Sequence, residues 1–171
     1  LVKAGGKLES PTIEFGEDSD SLLVENLLAS VAQHQREKNG EQTKNRMRAR
    51  MQNGYWVFGA PLGYKFETKS GHGKMLVRDE PVASIIADAM ERYASGRLRS
   101  KSEVKRFLER QPTFPKDRKG TVHLTRIIEI FNRPVYAGYL SHDDWGLHLV
   151  PGKHEALVNF ETYQMLQRRM L

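Results

Sequence analysis

The feature that most constrains this chain is one long run of helix-forming residues. From about Ser21 to Gln52 it reads as a single helix, which at ~1.5 Å per residue spans about 50 Å, more than one small domain needs. Ser19, Asp20 and Ser21 offer N-caps, because their side-chain oxygens accept from otherwise unpaired amides. In the first half, Leu23, Leu27 (with Leu28), Val31 and His34 recur at spacing three to four. That is one apolar stripe, and it needs a partner surface. The second half exchanges the stripe for Lys44, Arg46, Met47, Arg48 and Arg50. Lys44 and Arg48 stand at i,i+4, as do Arg46 and Arg50, so two adjacent cationic faces are expected. Asn39-Gly40 costs ~1 kcal/mol relative to Ala; it is expected to be a hinge or a tolerated defect. Asn53-Gly54 ends the run, Gly being the usual residue past a helix C-terminus.

The segment Tyr55 to Tyr64 is aromatic and punctuated by Gly and Pro, so it reads as an ordered linker. Beyond it the elements are short. Lys65–Thr68 and Lys74–Val77 form two strands around Ser70-Gly71-His72-Gly73. Asp79-Glu80-Pro81 opens a helix whose core face is Val82, Ile85, Ile86, Ala89, Met90 and Tyr93, and Gly96 stops it. Ser100 to Glu103 is a capping box, with Val104, Phe107 and Leu108 as the next core face. After a loop, Gln111 to Gly120, Thr121 is expected to cap a third helix burying Leu124, Ile127, Ile128 and Phe131. Val135–Ser141 and Leu147–Val150 are expected to pair over Asp143-Asp144-Trp145-Gly146. Asn159 caps a last helix with Phe160, Tyr163, Leu166 and Met170. The fold class is therefore mainly α with small β-hairpins (α+β): a long connecting helix, then a helix-turn-helix-like, winged domain.

Charge divides along the same line. The 171 residues carry +6, but residues 1–40 have a net charge of −3 and residues 41–171 of +9. A basic body suits a polyanion, nucleic acid before an anionic membrane surface. With no cysteine there is no disulfide framework, thiol nucleophile or Cys-ligated zinc. No stretch approaches the ~20 apolar residues of a membrane span. The first residue is Leu1, and the start is expected to be a cut end of something longer.

The segment Lys116 to Phe131 carries the sharpest functional reading. Lys116, Arg118 and Lys119 precede a short helix whose outer face shows His123, Thr125, Arg126 and Glu129. Two short helices followed by a third with polar and cationic residues outward is the plan of a helix-turn-helix reader, with the following hairpin as a wing. Phosphates want Lys, Arg and amides, while base edges want side chains that reach the major groove. The same helix also suits the plainer role of closing a small helical core. Arg48, Arg50 and Asn53 lead into Gly54-Tyr55-Trp56 and suit a narrow minor groove. Tyr55, Trp56 and Phe58 are expected to pack rather than to touch DNA, burial being the commoner fate of aromatics. His142, Asp143, Asp144, His148 and His154 cluster in sequence, but they lack metal-ligand spacing and read as turn residues. No phosphate loop, dinucleotide fingerprint or ordered Ser/His/Asp triad is present. Alone, Arg36 reads as a surface cation.

Five motifs in this order resemble the large serine recombinase (serine integrase) family. LLASVAQHQREKNGEQTKNRMRARMQNGYW is similar to its long helix leaving the catalytic domain. GAPLGYKF, IIADAMERYASG and IIEIFNRPVYAGYL are similar to its recombinase domain, and PGKHEALVNFETYQMLQRRM to that domain's closing turn and helix. The resemblance implies residues 1–40 as the catalytic domain's last strand, turn and first half of the helix. It implies 41–60 as basic helix end and aromatic linker, and 61–171 as the recombinase DNA-binding domain.

The implied chemistry is cleavage by a serine that forms a 5′-phosphoserine link, with no metal or nucleotide cofactor. That serine is expected upstream of Leu1, and the family's Cys-bearing zinc domain is expected to be absent. Arg36 aligns with an arginine the family places near the active-site phosphate, although the neighbouring family Glu is Gln35 here. Val122 or His123 stands where the family tends to have Trp. Leu23, Leu27 and Val31 are the implied subunit contacts. The implied partners are double-stranded attachment-site DNA and other copies of the chain, as a homodimer on a site and a tetramer in synapsis, with no membrane. The implied setting is the cytoplasm of a prokaryote, at its nucleoid, on a phage or mobile element. The implied DNA-binding set is Lys44, Arg46, Arg48, Arg50, Asn53, Lys116, Arg118, Lys119, Thr121, His123, Thr125 and Arg126. Two other classes fit the residues: a winged-helix regulator that never cuts DNA, and a nuclease complete within the chain.

Overall fold

The computed structural model describes residues 19–170, so the strand and turn expected over 1–18 lie outside it. The chain divides into two units between Arg46 and Met47. The division falls inside α1 (Ser19–Gln52), which runs without a break through Asn39 and Gly40. Gly40 thus stands within continuous helix. In the first unit the apolar stripe is open to solvent. Leu23, Leu27 and Val31 are 68%, 62% and 58% exposed, and Leu22, Val24 and Leu28 accompany them.

The second unit begins with the last turns of α1, whose Met51 is fully buried in the unit's core. The helix ends in a Schellman motif. The Tyr55 amide donates to the Arg50 carbonyl at 3.2 Å and the Gly54 amide to the Met51 carbonyl at 3.0 Å. That geometry needs a left-handed residue, and Gly54 supplies it at φ +87°. Trp56, Val57, Phe58 and Leu62 then pack on the core as a strap, as expected of aromatics in an ordered linker.

Strand β1 (Tyr64–Lys69) pairs antiparallel with β2 (Gly73–Arg78), Tyr64 opposite Arg78 and Lys69 opposite Gly73. Helix α2 (Val82–Ala94) buries Ala83, Ile86, Ala89, Met90 and Tyr93. Its first turn is satisfied by Glu80, whose carboxylate accepts the Ser84 amide at 3.1 Å and hydroxyl at 2.7 Å. Helix α3 (Lys101–Glu109) follows, with the Ser100 hydroxyl accepting the Glu103 amide at 3.2 Å. The box closes one residue early: Glu103 accepts from the Arg99 amide at 2.7 Å, not from that of Ser100.

Helix α4 (Leu124–Asn132) packs against α3, and α5 (Phe160–Met170) against α2 and α4. The Asn159 side chain caps α5 as expected, accepting the Thr162 amide at 2.8 Å. Between α4 and α5, β3 (Tyr139–His142) pairs with β4 (Leu147–Pro151). The expected strand from Val135 is shorter, because Pro134–Ala137 is a turn of 3₁₀ helix closed by Gly138 at φ +83°. Pro134 supplies the helical φ at the first position, and burial of Val135 and Tyr136 overrides their strand preference. The result is mainly helical with two small antiparallel hairpins, as the sequence leads one to expect.

One buried titratable group makes stability depend on pH. His154 is 8% exposed; its Nε2 lies 2.7 Å from the Val135 carbonyl and its Nδ1 has no partner. Burial lowers its pKa from the ordinary 6.5, with the Val135 carbonyl opposing in part. The unfolded chain therefore binds this proton more readily than the folded one. Stability is full above about pH 6.5 and falls as pH drops from there toward the depressed folded value. Urea unfolding at descending pH is expected to show this slope, and His154→Gln, which keeps a donor but does not titrate, to lessen it. Equal slopes in the two proteins would show that His154 is not responsible.

Candidate nucleic-acid interface

The loop before α4 is built around one carboxylate. The Asp117 side chain accepts the Lys119 and Thr121 amides at 2.8 Å each, and the Thr121 hydroxyl at 2.6 Å. These donors, the Thr121 hydroxyl first, hold its pKa below the usual range. His123 Nε2 stands 3.2 Å away. The amides of Asp117 and Gly120 close the turn at 3.0 Å each, to the Thr121 and Asp117 carbonyls. Phe114 and Val122 bury the two ends of the loop, and Glu109 accepts the Val122 amide at 3.0 Å. So anchored, the loop exposes Arg118 and Lys119 and leaves Lys116 half-buried. Asp117 was not among the expected site residues. Its signal in sequence is the turn pattern Asp117-x-x-Gly120.

Two expectations at α4 need correction. Thr121 does not cap the helix. The helix begins at Leu124, His123 occupies the N-cap without a side-chain cap bond, and the Thr121 hydroxyl, two residues ahead of that position, donates to Asp117. The core face also differs: Leu124 is 42% exposed, because it starts the helix on the outer side, and Ile128 is only half-buried, while Ile127, Ile130 and Phe131 supply the buried face. His123, Thr125, Arg126 and Glu129 are exposed, as the periodicity implies. Arg126 also donates to the Pro115 carbonyl at 3.2 Å, joining α4 to the loop. Val122, where the resembled family tends to have Trp, is 1% exposed and fills core space.

The cations of α1 do not form two adjacent faces. At ~100° per residue, the pair Arg46 and Arg50 lies about 200° round the helix from Lys44 and Arg48. Lys44, Arg46 and Arg48 are exposed, and so is Asn53, whose side chain donates to the Ala49 carbonyl at 2.9 Å. Arg50 is half-buried. It donates to the His72 carbonyl at 3.1 Å and to that of Lys74, and its guanidinium lies 4.7 Å from the centre of the Tyr55 ring. Arg36 is exposed and donates to the Ala32 carbonyl at 3.3 Å.

The β3–β4 tip, expected as a wing, carries two exposed carboxylates, Asp143 and Asp144, of the same sign as phosphate. Phe58, His142 and Trp145 stack at its base, with His142 4.1 Å from Trp145 and 5.1 Å from Phe58 between ring centres. A cleft of about 490 Å³ opens beside them, lined by Trp56, Tyr139 and Arg133 among others. Among the described residues no group of three or more His, Asp or Glu is placed to hold a metal ion. No described helix is long and apolar enough to cross a membrane.

Solved structures share this architecture. One is a crystal structure of a large serine recombinase–DNA complex: 18% identity and a TM-score of 0.58, over 75% of this chain and 38% of that one. The fold is that of a large serine recombinase segment. Another structure, from work on the sequence requirements of the Listeria innocua prophage attP site, matches with 18% identity and a TM-score of 0.58. That match covers 76% of this chain and 51% of the other. The chain thus spans less than two thirds of either matched chain. No protein-family model matches it, and no curated protein does. The recombinase likeness implied by the five sequence motifs is met at the level of fold.

Proposed function

We propose that this chain binds double-stranded DNA as part of a serine site-specific recombinase, reading one arm of an attachment half-site. The observation that carries the reading is the Asp117-ordered loop with α4 behind it. Arg118 and Lys119 are held on an anchored loop, and His123, Thr125 and Arg126 stand outward from a helix whose opposite face is buried. The recombinase–DNA complexes that share the fold support it. In this reading the loop cations and Lys44, Arg46 and Arg48 meet phosphates, while Thr125 and Arg126 face base edges. Leu23, Leu27 and Val31 meet other copies, as a dimer on one site and a tetramer in synapsis. Arg36 lies near the phosphate attacked in the whole enzyme. The setting is a prokaryotic nucleoid.

Selection of duplexes from a random pool, followed by titration, tests this. Thr125→Ala is expected to relax preference at one base position by ~1–3 kcal/mol. Arg48→Gln is expected to weaken all duplexes alike and to lower the salt slope by about one contact's worth. A uniform loss with Thr125→Ala would remove it from the bases. Failure of the pool to enrich would overturn the reading.

A further inference from the structure

We propose that the tip of the β1–β2 hairpin is a second phosphate-gripping element, in which Lys69 and Lys74 hold the duplex backbone beside the end of α1. The inference rests on the DNA-binding reading and names a contact surface for it. Three observations converge on the tip. First, the hairpin adds little to the core. Of its residues only Tyr64 and Leu76 are buried, both toward its base, and Lys65 through Lys69 are exposed throughout. A two-stranded hairpin is marginal by itself in water, so something must hold this one in place.

Second, that hold comes from the basic helix. Arg50 donates to the carbonyls of His72 and Lys74, and the Tyr55 hydroxyl lies 2.6 Å from His72 Nδ1. The tip is thereby pinned to the last turn of α1. Arg50, far from the tip in sequence, is thereby set beside it, and the register places Lys74, opposite Thr68, and Lys69, opposite Gly73, on the two faces of that tip.

Third, the charges fit a polyanion. Lys65 pairs with Asp79 at 3.7 Å, whereas neither Lys69 nor Lys74 is ion-paired among the described residues. Glu67 is the strand's own carboxylate and lies opposite Met75, two rungs from the tip pair of Lys69 with Gly73. Gathering like charges on a pinned tip is unfavourable until an anion meets them. The β3–β4 tip, with Asp143 and Asp144, presents the opposite sign. Of the two hairpins, the first has the electrostatics of a wing.

Lysines on strand edges also serve to keep sheets from pairing with other chains, and the test separates that role from DNA contact. Lys69→Gln/Lys74→Gln in the 171-residue chain is titrated by fluorescence anisotropy against a selected duplex and a scrambled one, across a salt series. Kd is expected to rise roughly tenfold on both duplexes, with the salt slope smaller by about 1.8. Lys69→Arg/Lys74→Arg is expected to bind as the unchanged chain does. An unchanged Kd and slope, with or without self-association of the Gln variant, would overturn the proposal. So would a loss confined to the selected duplex, which would mark base reading. If the unchanged chain bound neither duplex with salt-dependent affinity, the DNA-binding reading itself would fail.

Discussion

Replacing Phe131 with Ala is expected to lower the free energy of unfolding by about 3–5 kcal/mol. The ring is 1% exposed, and its centre lies 5.4 Å from that of Tyr93 on α2. Around it, Ile127 is fully buried and Ile130 nearly so. The neighbouring backbone is held in place: the Tyr163 hydroxyl donates to the Asn132 carbonyl at 2.9 Å and Gln167 to that of Phe131 at 2.7 Å. Those bonds survive the substitution and keep α4 from sinking into the space left by the ring. The cavity stays open, so the loss belongs at the upper part of the range. In thermal unfolding the midpoint should fall by roughly 10 °C or more. A loss below about 1 kcal/mol would show that α4 is not seated by this ring. Below the lowered midpoint, the variant's choice among duplexes should be unchanged, because the residues facing outward are on the other side of the helix.

Much of this fold is legible in the sequence, for a definite physical reason. The core faces of α2 and α5 follow from apolar spacing, and so does the outward set on α4, because burial of one helix face is a local and periodic property. What escapes is decided by competition between neighbours or by contacts across the chain. Thr121 looks like a cap and has the chemistry of one, but the helix starts only at Leu124, which leaves Thr121 two residues ahead of the cap position with its hydroxyl donating to Asp117. Val135 and Tyr136 favour a strand in isolation, yet Pro134 and Gly138 set the local backbone and the core accepts the tighter turn. The i,i+4 spacing of the cations in α1 is read correctly. The relation between the two pairs is not, because residues two apart fall on nearly opposite sides of a helix. Arg50 is the plainest case. Its acceptors are 22 and 24 residues away, and nothing local marks them. The hairpin tip it holds is invisible as a site until that contact is seen.

Gly54→Ala is expected to destabilise the second unit by about 3 kcal/mol, from two sources that can be separated. The left-handed backbone at φ +87° costs a side-chain-bearing residue roughly 1–2 kcal/mol. The larger obstacle is spatial. A Cβ at this position would stand 2.6 Å from the Pro151 carbonyl oxygen and 3.3 Å from the Lys153 amide nitrogen. These are backbone atoms of β4 and the residues after it, and they are close because the Lys153 amide donates to the Gly54 carbonyl at 2.8 Å. Neither side can yield without breaking that bond or the Schellman closure of α1. Gly54→Asn distinguishes the sources, since Asn tolerates the left-handed region far better than Ala but brings the same Cβ. If the close approach dominates, urea unfolding gives Asn little advantage over Ala. Recovery of most of the stability by Asn would assign the cost to backbone conformation instead. The consequence reaches the proposed interface, because Gly54 is where the basic helix is tied to the body. With that tie loosened, Arg48, and the hairpin tip that Arg50 holds, lose their fixed register to the Asp117 loop. Both variants should therefore bind all duplexes more weakly than their remaining folded fraction accounts for.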